Sequence, residues 1–275
     1  MYCKLYFQVD DGTSIGKFQA DLDRLFSWAD SVHLSLALNK TAILHLGTNN
    51  PQHQYSVAGT DLQSVSQIRD LGVLMSDNLS FHAHCRNVAR KGHYAANSIL
   101  SAFQTRTKDF LMQMFKTYVR PSLEYATEVW SPITVGDTDL IERVQRRFTK
   151  RIPGFSNLSY KERLEQLSLD SLEERRVKAD LNLAYKMSKG SSFLEFDHFF
   201  ERVGERRQLR APHELRPCKL NKVKTGQCFA ARVVHPWNSL PAEVVNAQKL
   251  STFKSSLDRV DLTNHLRGSG VRAPQ

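Results

Sequence analysis

Between Ile15 and Asp30 apolar side chains recur at spacings of three and four. Phe18, Leu22, Leu25, Phe26 and Ala29 share one side, and Asp21, Asp23 and Arg24 fall on the other. This is the period of an amphipathic helix. The period then drops to two across Leu34, Leu36 and Leu38, which predicts a strand. A second short strand reads from Ile43 to Leu46, ahead of Gly47 and the turn residues Asn49, Asn50 and Pro51. Two more strands are expected around Tyr55–Val57 and from Ile68 to Met75. Residues 1–80 thus predict a small antiparallel sheet with one helix laid on it.

From Phe81 onward the period is helical. Helices are expected over His82–Gln104, Lys108–Trp130, Thr138–Ile152, Tyr160–Leu167 and Ser171–Ser188, with Pro121 kinking or splitting the second. Asp137 and Ser159 stand where N-caps belong, and Glu162 follows Ser159 at capping-box spacing. Beyond Gly190 the pattern degrades into Phe-rich and Arg-rich irregular sequence. A final helix is expected over Ser251–Val260, with a loose tail to Gln275. The fold class that follows is α+β and α-dominated, with divisions at 1–80, 81–155 and a helical, basic 156–275.

Charge adds a direction. The 275 residues carry a formal net charge of +10, unevenly spread. Residues 1–80 hold 5 basic and 8 acidic side chains, residues 81–190 hold 19 and 12, and residues 191–275 hold 14 and 8. A polyanionic partner would therefore be met in the last two thirds. Cys3, Cys85, Cys218 and Cys228 are scattered without a disulfide framework, no apolar run approaches a membrane span, and the N-terminus lacks signal-peptide anatomy. An intracellular protein, nuclear or cytoplasmic, with no membrane partner is expected.

Several strings stand out in order: DLDRLFSWA (21–29), KTAILHLG (40–47), DLGV (70–73), VRPSLEYA (119–126), VWSP (129–132), RVQRRFTKRIPG (143–154), LSYKERL (158–164), SLEERR (171–176) and VVHPWNSLP (233–241). Together they resemble the region downstream of the catalytic loop in reverse transcriptases of LINE-type, jockey-like non-LTR retrotransposons. The resemblance implies the last part of a palm over residues 1–75 and a helical thumb from Phe81 to about Gly154, followed by a basic C-terminal region. Ile68–Leu74 would form the hairpin that grips the primer end, with Asp70, Leu71, Gly72 and Val73 as its residues.

Polymerases use carboxylates to hold two divalent ions, one activating the attacking hydroxyl and one clamping the leaving pyrophosphate. The resemblance puts the family's adjacent Asp pair just before Lys4-Leu5-Tyr6, at about Met1 and Tyr2, and places the earlier palm strand outside this sequence. The expectation is a chain that is catalytically incomplete alone and needs no cofactor, with Mg²⁺ entering only if the missing palm were supplied. Asp10 and Asp11 precede Gly12 and read as a solvated turn. Lys40 matches a family lysine that lies beside the incoming nucleotide. Ala37 stands where the family has Asn, so Lys40 reads as a remnant of that element or as a solvated side chain.

Arg143, Arg146, Arg147, Lys150 and Arg151 fall at spacings of three and four, opposite an apolar stripe of Val144, Phe148 and Ile152. Arg86, Arg90 and Lys91 continue the track on an earlier helix. Such a face suits the phosphate backbone of an RNA or DNA template–primer. Trp28, Trp130 and Trp237 sit in apolar or Pro-rich surroundings and read as core. The spacings 5, 10 and 7 among His213, Cys218, Cys228 and His235 match no zinc knuckle, and His82, His84 and Cys85 open an ordinary helix, so no metal site is expected. The expected function is a template–primer-binding fragment of a retrotransposon RNA-directed DNA polymerase. The alternatives are a reverse transcriptase active only within a longer polyprotein, and a repurposed protein-interaction module. A neutral or acidic surface on the helices of residues 81–152 would favour the last.

Overall fold

The computed structural model describes residues 3–9, 12–47, 49–202, 214–218 and 228–268. Met1 and Tyr2, the Asp10–Asp11 pair, His213 and the tail from 269 to Gln275 lie outside the described residues. The chain divides into two compact units, Met1–Phe81 and His82–Gln275.

In the first unit the amphipathic stretch forms α1 (Gly12–Ser31). It stops where His33 adopts a left-handed φ of 56°. There the Leu34 N–H donates to the Ala29 carbonyl (2.8 Å) and the His33 N–H to that of Asp30 (3.0 Å), a Schellman arrangement. The alternating leucines do not make a strand. Leu34–Ala37 is irregular and Leu38–Lys40 is a 3₁₀ turn. Alternation sorts side chains to two faces, but a strand needs a neighbour to pair with, and none among the described residues runs beside these.

Six short strands follow: β1 (Ala42–Leu44), β2 (Ser56–Val57), β3 (Thr60–Asp61), β4 (Gln63–Val65), β5 (Gln67–Asp70) and β6 (Val73–Ser76). The expected single antiparallel sheet is replaced by three separate pairs. β2–β3 and β5–β6 are antiparallel, whereas β1 pairs with β4 in parallel, Ala42 opposite Gln63. The chain leaves β1, turns through the β2–β3 hairpin and returns in the same direction, which is what a parallel pair requires. Ala29, Tyr55, Val57, Leu62 and Val73 make the small core, and the Phe18 ring meets Tyr55 edge-on at 5.0 Å. Trp28 is 49% exposed and not core. It precedes buried Ala29 by one residue, about 100° round the helix and off the buried stripe.

The second unit is a helical assembly, and α2 (His82–Ala102) follows the expected span closely. The stretch expected as one split helix is α3 (Lys108–Met114), a π-helical turn (Phe115–Val119), α4 (Arg120–Glu124) and α5 (Thr127–Trp130). Pro121 has no N–H to donate and its ring crowds the carbonyl four residues back, so the wider turn sits just before it. The break itself is at Ala126, left-handed at φ 54°.

Next come α6 (Val135–Lys150), α7 (Tyr160–Leu167) and α8 (Leu172–Ser188). α6 starts earlier than expected because Thr134, rather than Asp137, is its N-cap; the Thr134 side chain accepts the Asp137 N–H at 3.1 Å. α7 opens with the capping box of Ser159 and Glu162.

Residues beyond Gly190 are more regular than expected. β7 (Phe200–Arg202) pairs antiparallel with β8 (Leu215–Pro217), and α9 (Phe229–Asn238), α10 (Ala242–Val245) and α11 (Leu250–Leu257) follow. They share a core with α8. Tyr185, Phe200, Trp237 and Phe253 are all buried, and the Tyr185 and Phe253 rings stack at 4.2 Å. The last described residues are fastened as well, the Arg267 and Gly268 N–H groups donating to the Glu173 carboxylate at 2.7 and 2.9 Å.

Candidate nucleic-acid interface

Three contacts place α2 and α6 side by side, parallel and in register. At their starts His82 Nδ1 meets Asp137 Oδ1. Midway stands Gly92, where a Cβ would come within 2.6 Å of a Leu123 methyl and 3.2 Å of a Val144 methyl, so any larger residue would have to push these side chains aside. At the far end the Arg151 guanidinium donates to Asn97 Oδ1 at 2.8 Å.

This register brings the two basic tracks together. Arg86, Arg90 and Lys91 of α2 are exposed, as are Arg143, Arg147, Lys150 and Arg151 on and just past α6. Among the described residues none of these seven forms an ion pair. His93 lies half-buried at the seam. Burial is the main cause lowering its pKa, followed by the positive charges of Arg147, Arg143 and Arg151.

Arg146 is set apart from the others. It leans away from α2 towards Asp139 (3.6 Å) and lies over the Tyr160 ring, 5.0 Å from its centroid. Its side chain keeps 29% exposure, so it borders the basic face while serving the α6–α7 contact.

The inner side of α6 fixes this surface in place. Ile141, Val144 and Phe148 are buried, and the Phe148 ring packs 4.9 Å from that of Phe115. Beneath them, buried Glu142 accepts the Tyr160 hydroxyl and the N–H groups of Leu172 (3.1 Å) and Glu173 (3.2 Å), which caps the start of α8 with a carboxylate. Burial raises the Glu142 pKa, and Arg176, the Tyr160 hydroxyl and the two amides oppose that rise.

Residues 68–74 do form a hairpin. Asp70 ends β5, Val73 begins β6, and Leu71 and Gly72 make the two-residue turn at φ 44° and 90°, both left-handed as a type I′ turn requires. Leu71 is 70% exposed at the tip, Val73 is buried, and Asp70 pairs with Lys4. Lys40 ends the 3₁₀ turn ahead of β1 and is exposed.

Trp130 and Trp237 are core, at 0% and 2% exposure. The described members of the Cys/His set are engaged separately: the Cys218 thiol donates to the Asp197 carbonyl, and His235 Nδ1 meets His265 Nδ1 at 3.0 Å. His84 packs edge-on against Trp130, and Cys85 beside it is a buried thiol pushed up to about 12 by burial and then by Asp137. An open cleft of about 310 Å³ near α8 is lined by charges already paired with one another, Arg175 with Glu124 and Lys178 with Asp170, Glu174 and Asp258. Among the described residues no helix is long and apolar enough to cross a membrane.

The charge pattern alone passes over Tyr94, His93 and Asn97, which lie beside the basic residues of α2 and would show on a plot at about 100° per residue. No family profile matches the chain, and no solved structure matches it. Over 128 residues the chain is 23% identical to an uncharacterized protein of Caenorhabditis elegans, a stretch covering 46% of this chain. The match spans 65% of the length of that relative.

Proposed function

We propose that this chain is palm and thumb sequence of a LINE-type reverse transcriptase, and that it holds an RNA or DNA template–primer by its backbone. The observation that carries this reading is the paired face of α2 and α6. The two helices, fixed in register, carry with the residue just past α6 seven exposed cations, none in an ion pair among the described residues. A neutral or acidic face here would have favoured a protein-interaction module.

Guanidinium groups without carboxylate partners are free to make charge-assisted hydrogen bonds to phosphate. From Arg86 to Asn97 the helix rises about 16 Å at about 1.5 Å per residue. A nucleic-acid strand rises about 3.4 Å per nucleotide, so the track matches about five phosphates. The nine strings that carry the resemblance support the same reading, since RVQRRFTKRIPG supplies the cations of α6. On this reading the Leu71–Gly72 turn meets the primer end and Lys40 is a relic of the palm.

The test is fluorescence anisotropy of a labelled RNA–DNA primer–template with the full chain, in low salt. Binding that weakens steeply as salt rises from about 50 to about 200 mM is expected. Absence of binding in low salt would reject the reading.

A further inference from the structure

We propose that Tyr94 is a base-stacking platform, so that the α2–α6 face takes a single strand, or the unpaired end of a template, in preference to continuous duplex. The inference rests on the nucleic-acid reading and deepens it. Tyr94 is 77% exposed on a well-formed helix turn. With about 100° per residue, it stands about 40° round α2 from Arg90 and about 60° from Lys91. Both neighbours are exposed. The phenol ring is therefore flanked by cations on both sides, and no described aromatic ring lies in contact with it.

This is the arrangement that binds single strands: cations follow the backbone while a flat ring receives a base. Any base offers a π face, so the platform does not depend on sequence. Inside a duplex each base is already covered above and below by its neighbours and cannot reach the ring. Tyr94 thus gives the face a means of telling unpaired from paired nucleotides, which charge alone does not.

The test compares a labelled mixed-sequence DNA single strand with the blunt duplex of the same sequence, bound by the full chain and by Tyr94→Ala, Tyr94→Leu and Tyr94→Phe. The side chain is exposed, so folding should be unchanged, and circular dichroism checks this. For the single strand, Tyr94→Ala and Tyr94→Leu should each lose about 5- to 150-fold in affinity, and Tyr94→Phe should keep most of it. Duplex affinity should move less than about twofold, and the salt slope should not change, because no phosphate contact is removed. Equal losses on both substrates, loss with Tyr94→Phe but not Tyr94→Leu, or no loss at all, with Arg147→Ala still weakening binding, would overturn the stacking role and leave the backbone interface standing. No binding by the unaltered chain would overturn both.

Discussion

Glu142 ties three helices together, and its removal should unfold the second unit under mild conditions. The carboxylate is 3% exposed and accepts the Tyr160 hydroxyl of α7 and two N–H groups at the start of α8. It also lies close enough to Arg176, itself 3% exposed, to act on its charge. Hydrogen bonds to a charged acceptor contribute about 1.5–3 kcal/mol each, but these share one carboxylate and do not add. The better guide is the cost of leaving the buried Arg176 charge without the nearby carboxylate that offsets it, at most about 3–5 kcal/mol. Glu142→Ala should therefore lose up to about 3–5 kcal/mol out of a domain stability of about 5–15 kcal/mol. Glu142→Gln keeps one accepting oxygen and should lose less.

Urea unfolding followed at Trp130 and Trp237, both in this unit, reads the loss as a fall in midpoint at constant slope. The sharper check is Glu142→Met combined with Arg176→Met, which removes both charges and fills much of the space. That double variant should be more stable than Glu142→Ala. A Glu142→Ala loss under about 1 kcal/mol, or a double variant weaker than the single, would show that the Glu142 carboxylate does not hold the helices together.

Trp130 is fully buried, edge-on to His84 at 4.8 Å, with its indole N–H donating to the Tyr125 carbonyl at 2.8 Å. Trp130→Ala should cost about 3–5 kcal/mol, and a cost below about 1 kcal/mol in the same urea assay would contradict its role as the plug of α5. Buried Asp180 pairs with Arg232 at 3.1 and 3.2 Å, yet burial pushes its carboxyl up to about 6, Arg232 offsetting only part of the rise. The folded chain then keeps this proton to higher pH than the unfolded chain, so the associated stability is present below about pH 4 and is lost as pH rises through about 6. Relative to Asp180→Asn, the native chain should lose about 3 kcal/mol over that window, and a gain instead would show that the ion pair outweighs burial. Leu71 holds a left-handed φ of 44° at the hairpin tip with 70% exposure. Leu71→Gly should therefore raise the stability of the first unit by about 1 kcal/mol, and a loss would show that the Leu71 side chain packs on something.

The long helices were legible because each carries several turns of periodic sequence, and some elements add a chemical start signal. Ser159 with Glu162 shows this most clearly, and the boundaries of α7 follow directly. α9 and α10, after Gly190, were not legible for the opposite reason. The helix expected over Ser251–Val260 is present as α11, but α10 is too short to display a period, Pro236 interrupts α9, and the aromatic residues that join them to α8 converge only in three dimensions. Leu34, Leu36 and Leu38 misled because alternation says nothing about whether a partner strand exists. The basic residues of α6 were legible as a group, but the turning of Arg146 towards Asp139 and Tyr160 depends on α7, which no spacing within α6 could reveal. The register of α2 against α6 likewise rests on Gly92, Leu123 and Val144, three residues far apart in sequence.

On the proposed reading, the cations of α2 and α6 hold a nucleic-acid backbone. The most direct test is the salt dependence of binding by the full chain and by the variant carrying Arg90→Ala, Arg143→Ala, Arg147→Ala and Arg151→Ala. Each phosphate contact contributes about 0.7 to the logarithmic salt slope on a single strand and about 0.9 on a duplex. Losing four contacts should lower the slope by about three and weaken all sequences alike. An unaltered slope and affinity in the quadruple variant, with the unaltered chain binding well, would contradict the account.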